Sequence, residues 1–159
     1  MGHRARDYRP YAFSRDLRDD DTVVEPGVLD SADAERLLRL NAAGHVAVST
    51  PHGPHIAPVG YEIVDLPRGT VVALRTTPHS VLASTPTYGV ITLEVDNLGH
   101  EHEGHWTVTA RGRCQHVTDA SEQLALERAW SGRPWPDGQR AVHLTITWSE
   151  LVGRRLAAC

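Results

Sequence analysis

Apolar and polar residues alternate with a period of two over several stretches of the chain, whereas a helical period shows only twice, so strands are expected to dominate. From Leu29, the residues Ala34, Leu37 and Leu38 fall at helical spacing, with Asp30 or Ser31 placed to cap and Glu35 early in the segment. This predicts a short amphipathic helix ending near Gly44. The run H-V-A-V-S-T (His45 to Thr50), the turn composition P-H-G-P and the run H-I-A-P-V-G-Y-E-I (His55 to Ile63) predict a hairpin. Pro58 inside its second strand points to an edge or a bulge, because proline has no N–H to give to a ladder. Gly60 beside it permits close approach by a ligand.

After a turn at Leu66 to Gly69, a third strand runs from Val71 to Thr76, breaks at Pro78 and restarts at Ser80 as the start of a short helix. A fourth strand, Tyr88 to Asp96, a loop from Asn97 to Gly104 and a long strand from His105 to Val117, bent at Gly112, follow. A second helix over about Ala120 to Trp130 and a last strand, Ala141 to Trp148, complete the pattern. Six strands on short connections with few, peripheral helices imply a mainly β fold, a closed or nearly closed antiparallel barrel. Residues 1–28 are charged and aperiodic and are expected to form a partly mobile arm, which Tyr8, Tyr11 and Phe13 can pin; residues 29–159 form the domain.

Composition narrows the function classes. A net charge of -4, a pI near 6.2 and arginines spread along the chain argue against a nucleic-acid or membrane-binding face. No apolar run approaches the roughly 20 residues that span a bilayer, and a cytoplasmic protein is expected. Cys114 and Cys159 do not make a metal-ligand or disulfide spacing, and Cys114 reads as a small buried packing residue.

The stretch V-V-A-L-R-T-T-P-H-S-V-L carries the most chemistry. Arg75 offers a planar fork matched to phosphate oxygens, Thr76 and Thr77 offer hydroxyl donors, and Ser80 can cap the helix start that attracts an anion. Together they suggest phosphate binding. Elsewhere, H-E-H-E-G-H (His100 to His105) reads as a solvated polar tip rather than a metal site, and His52 and His55 read as turn residues first and pocket-lining donors second. Glu94 and Asp96 are expected to pair across strands with Arg111 or Arg113. Arg154 and Arg155, after Trp148, read as surface residues. No Ser-His-Asp order, Walker loop or G-x-G-x-x-G points to another enzyme class.

The order and spacing of G-H-V-A-V-S-T, the P-V-G-Y strand, L-R-T-T-P-H-S, L-E-V-D, H-W-T-V-T-A-R-G-R and W-S-E-L-V-G-R-R-L resemble the pyridoxamine 5'-phosphate oxidase-like split-barrel flavoproteins, from about Leu29 to Leu156. The resemblance implies a homodimer of six-stranded antiparallel split β-barrels with flavin mononucleotide (FMN) at the subunit interface, acting in hydride transfer on a small molecule. It assigns Arg75, Thr76, Thr77 and Ser80 to the phosphate and Pro58, Val59 and Gly60 to the ring. Trp106 and Arg111 would approach from the second subunit. Relatives often read R-T-x-x-G-S-K-L, whereas here His79 replaces the glycine and Val81 the lysine, which removes one cation and leaves His79 as partial compensation. No catalytic side chain is assigned, since the flavin is itself the redox group. The same barrel also admits a deazaflavin, or a non-enzymatic role binding flavin or haem.

Overall fold

The computed structural model describes residues 27–84, 89–98, 104–131 and 141–156. In chain order its elements are β1 (Gly27–Leu29), α1 (Ser31–Leu40), β2 (Ala43–Thr50), β3 (Gly53–Leu66), β4 (Gly69–Thr76), β5 (Val90–Asp96), β6 (Trp106–His116), α2 (Ala120–Ala129) and β7 (Val142–Arg155). The strands are hydrogen-bonded in the order β1-β7-β4-β3-β2-β5-β6, and β6 also pairs with β7, so six of the seven close a ring. Every pairing is antiparallel. The expected six-stranded barrel is thus present, with β1 added on the flank of β7.

Alternation fills the ring. Val46, Val48, Tyr61, Val72, Leu74, Ile91, Leu93, Val95, Val108, Ala110, Cys114, Leu144 and Ile146 all point inward into one core, and α1 stops one end of it with Ala34 and Leu38. The Tyr61 hydroxyl donates to the Leu38 carbonyl at 2.7 Å, so a buried polar atom is satisfied while it ties helix to barrel. Asp30 caps α1 by accepting from the Asp33 amide at 2.7 Å, and Asp119 caps α2 by accepting from the Ser121 and Glu122 amides.

A second, smaller core lies outside the ring, where Leu126 of α2 covers Val64, Leu66, Val71, Ala73 and Val117. Arg68, in the β3–β4 turn, clamps this layer. Its guanidinium bonds Glu122 on α2 at 2.7 Å and the Thr145 and Thr147 hydroxyls on β7 at 2.9 and 3.0 Å.

Three expectations change. The described part of the segment after Pro78 makes successive turns rather than a helix: the Ser80 amide donates to the Thr77 carbonyl at 3.1 Å, and the Ser84 amide is shared between the Ser80 and Val81 carbonyls, each at 3.2 Å. The last strand does not stop at Trp148 but runs to Arg155, because its second half pairs with both β6 and β1. Gly153 makes that possible, since a Cβ there would meet Leu29 Cβ at 2.9 Å and Ala34 Cβ at 3.1 Å. Finally, Gly27–Leu29, at the end of the expected arm, is a short strand; the remaining arm residues, 1–26, lie outside the described residues.

Pro58 has a clear cause. Residues 53–60 of β3 pair only with β2, because the β4 ladder begins at Tyr61 opposite Leu74. This half of an otherwise interior strand is an edge, and a proline there costs no ladder bond on the open side. On its other side β2 pairs with β5 only through His45, Val46 and Ala47. The tip of the β2–β3 hairpin therefore stands clear of the ring, and the ring is split beneath it.

Candidate functional site

The split holds a cleft of about 540 Å³ lined by Val48, Ser49, Thr50, Pro51, His52 and His55 of the hairpin and by His79, Val81 and Ser84 of the turn after β4. Both hairpin histidines line it, as turn position and strand start allow. Gly53, between them, has a φ of 112°, a conformation that glycine adopts without strain.

Alternation decides what the end of β4 offers to a ligand. Thr76 has the parity of Val72 and Leu74 and is buried on the barrel side. There it donates to Ser80 Oγ at 2.7 Å, and the Ala83 amide donates to the same oxygen at 3.0 Å. Those two bonds occupy the lone pairs of Ser80, so its own proton remains for a further acceptor. Thr77 accepts from the Ser80 amide at 3.1 Å, which fixes the turn. His79 and Val81 are exposed beside it.

Arg75 has the opposite parity and leaves the outer face of β4. Its guanidinium lies 4.1 Å from the centroid of the Trp130 ring, a cation–π geometry. Gly60 belongs to the same place, because a Cβ there would lie 4.0 Å from Trp130 Cη2. Pro58 shares the parity of Gly60 and is exposed, whereas Val59 turns inward against the core. His143 stands opposite Arg75 in the β4–β7 ladder. Burial holds its imidazole below the ordinary pKa, against the pull of Glu127 and with the push of Arg75. Its Nδ1 is buried and has no hydrogen-bond partner among the described residues.

The anticipated phosphate residues therefore fall into two groups. Thr76, Thr77 and Ser80 are brought together at the rim, and Arg75 is held with Gly60 on the outer surface by Trp130. Trp130 and His143 were not singled out from sequence. Trp130 shows there only as the end of a helix, and His143 only as a polar position in an alternating strand; register, which places His143 beside Arg75, is not visible in a single chain.

Trp106 and Arg111 lie elsewhere. Thr76 meets β7 at Val142 while Trp106 meets it at Arg155, the opposite end of a 14-residue strand. Trp106 lines a separate 240 Å³ cavity with Leu29, Leu37, Arg36 and Arg155. Arg111 is exposed and pairs with Glu150 on β7.

That pairing corrects the expected cross-strand bridge. Glu94 faces Thr109, Asp96 faces Thr107, and Arg111 and Arg113 face Thr92 and Val90. Glu94 instead accepts from the Thr107 hydroxyl at 2.9 Å and lies 3.8 Å from His45 Nδ1. Residues 99–103, with most of the H-E-H-E-G-H loop, lie outside the described residues. The ends of that loop are joined by Asn97, which is buried: its Oδ1 accepts from the Trp106 amide at 2.7 Å and its Nδ2 donates to the Gly104 carbonyl at 3.2 Å.

Residues 30–155 match the family model for pyridoxamine 5'-phosphate oxidase. Among solved structures, an FAD-binding protein from Mycobacterium smegmatis aligns at a TM-score of 0.66 and 23% identity, over 82% of this chain and 99% of that one. An FAD-binding protein from Mesorhizobium loti gives 0.66 and 19%, over 83% and 96%. An FAD and haem binding protein from Mycobacterium smegmatis gives 0.60 and 14%, over 82% and 72%. No curated protein matches the chain.

Proposed function

Because this chain belongs to the pyridoxamine 5'-phosphate oxidase family, matched over residues 30–155, we propose that it binds a flavin, FMN, and acts as an oxidoreductase on a small molecule. The observation that carries the reading is the rim at the end of β4, where Thr76 and Ala83 orient the Ser80 hydroxyl beside a 540 Å³ cleft. FAD-binding proteins of the same fold support the flavin.

The residues fit such a group. A phosphate monoester asks for a hydroxyl or amide donor and a cation. The Ser80 proton supplies the first. Arg75 supplies the second from the outer edge of the same strand end, its plane held against Trp130. Val81 in place of a cation leaves Arg75 as the fixed cation of this segment, with the His79 imidazole beside it. Pro58 and Gly60 present an open surface without bulky side chains on which a flat ring can lie.

A bound flavin supplies hydride-transfer chemistry, and the chain supplies position. Ser80 and Arg75 anchor one end, the hairpin walls the cleft, and Trp106 and Arg111 of a second subunit close the site in a homodimer. Two facts support the dimer: Trp106 and Arg111 lie far from the β4 rim within one chain, and the outer sheet face leaves Ile56 67% and Val90 61% exposed. Among the described residues no helix is long and apolar enough to cross a membrane.

The test is the absorption spectrum of the purified full chain before and after adding FMN and removing the excess. Retained flavin bands are expected, with affinity falling about tenfold or more in Ser80→Ala, since a hydrogen bond to a charged group contributes roughly 1.5–3 kcal/mol. A protein that stays colourless after FMN addition refutes the reading. FAD titrated in parallel separates the two flavins, and a deazaflavin supplied with candidate substrates tests that cofactor. A Soret band on adding haem would favour the second reading, for which the cleft offers the imidazoles of His52, His55 and His79 and one fold neighbour binds both FAD and haem.

A further inference from the structure

On the outer face of the ring we propose that His45, Glu94 and Asp96 form a binding site for a divalent transition-metal ion of the zinc type. Its three ligands are not among the residues assigned to the flavin, although His45 is the ladder partner of Pro58, so the site borders the surface proposed for the ring. His45 and Glu94 are direct partners in the β2–β5 ladder, which sets their Cβ atoms about 5 Å apart on one face. Asp96, two residues on from Glu94, returns to that same face by alternation. One imidazole nitrogen and one oxygen from each carboxylate lie within 4.8 Å of one another. An ion about 2.1 Å from each of three ligands needs them roughly 3–4 Å apart, so small side-chain rotations close the site.

Two features beyond proximity point to a cation. The carboxylates are already oriented: the Thr107 hydroxyl holds Glu94 Oε1 at 2.9 Å and the Leu98 amide holds Asp96 Oδ1 at 2.9 Å. Glu94 Oε2 is the oxygen left facing His45 Nδ1, at 3.8 Å. Hydrogen-bonded partners behind metal-ligating carboxylates serve this purpose, fixing the ligand and raising its basicity. Neither carboxylate is taken up by an arginine ion pair among the described residues, the nearest arginine in register being Arg154, which lies opposite Thr107 and so one strand beyond it. Register carries Arg111 to Glu150 and Arg113 opposite Val90. Two carboxylates and one imidazole then face solvent with no guanidinium between them.

The ligand set selects the class of ion. Imidazole suits zinc, iron, nickel and copper, while an all-oxygen shell would suit magnesium or calcium. With three protein ligands, at least one coordination position stays open to water or to an anionic group.

The experiment dialyses the full-length protein against a chelator and titrates it with cobalt(II), a coloured stand-in, followed by competition with zinc. One equivalent per chain is expected, with visible bands that zinc abolishes. His45→Ala, Glu94→Gln and Asp96→Asn should each weaken zinc about tenfold or more, with far-ultraviolet circular dichroism reporting that each remains folded. The Thr107→Val variant, which keeps all three ligands, should weaken binding by a smaller factor. His100→Ala/His102→Ala serves as the control and should leave the stoichiometry unchanged. Absence of saturable cobalt binding, or binding that survives His45→Ala and is lost in the His100/His102 double variant, overturns the proposal.

Discussion

Replacing Gly112 by alanine tests how the barrel closes. Between Arg111 and Gly112 the β6–β7 register shifts: Arg111 faces Glu150, Gly112 faces Trp148, and Ser149 is the extra residue of a bulge. A Cβ at Gly112 would stand 2.0 Å from the Thr147 carbonyl oxygen, 2.5 Å from Trp148 Cα and 2.6 Å from the Thr147 carbonyl carbon. All three are backbone atoms, so no rotamer change relieves the contact. Restoring even a 3.0 Å separation from that oxygen moves one strand by about 1 Å (3.0 minus 2.0) against the other, in the pair that closes the ring. Overpacking costs about 1–3 kcal/mol when side chains can yield, and here they cannot, so a loss of about 3 kcal/mol or more is expected. At an m-value of about 2 kcal/mol/M, the urea midpoint falls by roughly 1.5 M. Gly60→Ala is the matched control. Its added methyl would meet only Ala42 O at 3.7 Å and Trp130 Cη2 at 4.0 Å, ordinary contacts, and stability should change by less than about 1 kcal/mol. Equal midpoints for the two variants would refute the reasoning.

Asn97→Ala removes the side chain that joins the ends of the β5–β6 loop and leaves the Trp106 amide and Gly104 carbonyl without it, at a cost of about 1–3 kcal/mol read from the same urea transitions. Cys114 is 1% exposed and burial pushes its thiol up to about 11, so in a Cys159→Ser background a thiol reagent at mild alkaline pH should label it only on unfolding; rapid labelling of the native protein contradicts the packing. His143 takes its proton at a lower pH in the folded protein than the ordinary 6.5, so the unfolded chain binds more protons as pH falls through that value. Stability should therefore be unaffected above about pH 7 and decline below it, until the folded imidazole also protonates. His143→Gln should flatten that decline in urea midpoints measured across the range, and an unchanged slope counts against the assignment.

The sequence exposed what is local. Alternation marks β2 to β6 to within a few residues, Asp30 or Ser31 offers the cap that Asp30 makes for α1, Pro58 points to an edge or a bulge and lies on an edge, and Gly112 points to a bend and lies at a bulge. What it hid is register. Nothing in W-S-E-L-V-G-R-R shows that β7 will pair on two sides, because serine, glutamate and glycine there break the apolar alternation. Likewise Arg111 looked like a partner for Glu94 until pairing put threonines opposite both carboxylates. The short helix after Pro78 was expected from one capping serine; a single turn needs no more than that, and a helix needs further donors.

The same limit explains the candidate site. Read as letters, R-T-T-P-H-S is one clamp, but on a strand adjacent residues face opposite sides. Arg75 and Thr76 cannot both turn one face of β4 to a ligand, and they do not: one stacks on Trp130 outside the ring and the other bonds Ser80 within it. A phosphate that uses both must sit past the last residue of the strand, where the two faces meet and the ladder has ended. The split supplies that position. β3 has no β4 neighbour over residues 53–60, so the strand end opens onto a cleft instead of another backbone. Pro58, which keeps that edge free of a ladder bond, and Ser80, which keeps a proton free of the turn, are therefore parts of one arrangement: in the proposed site, the gap in the sheet is what would let a strand with divided faces hold a single anion.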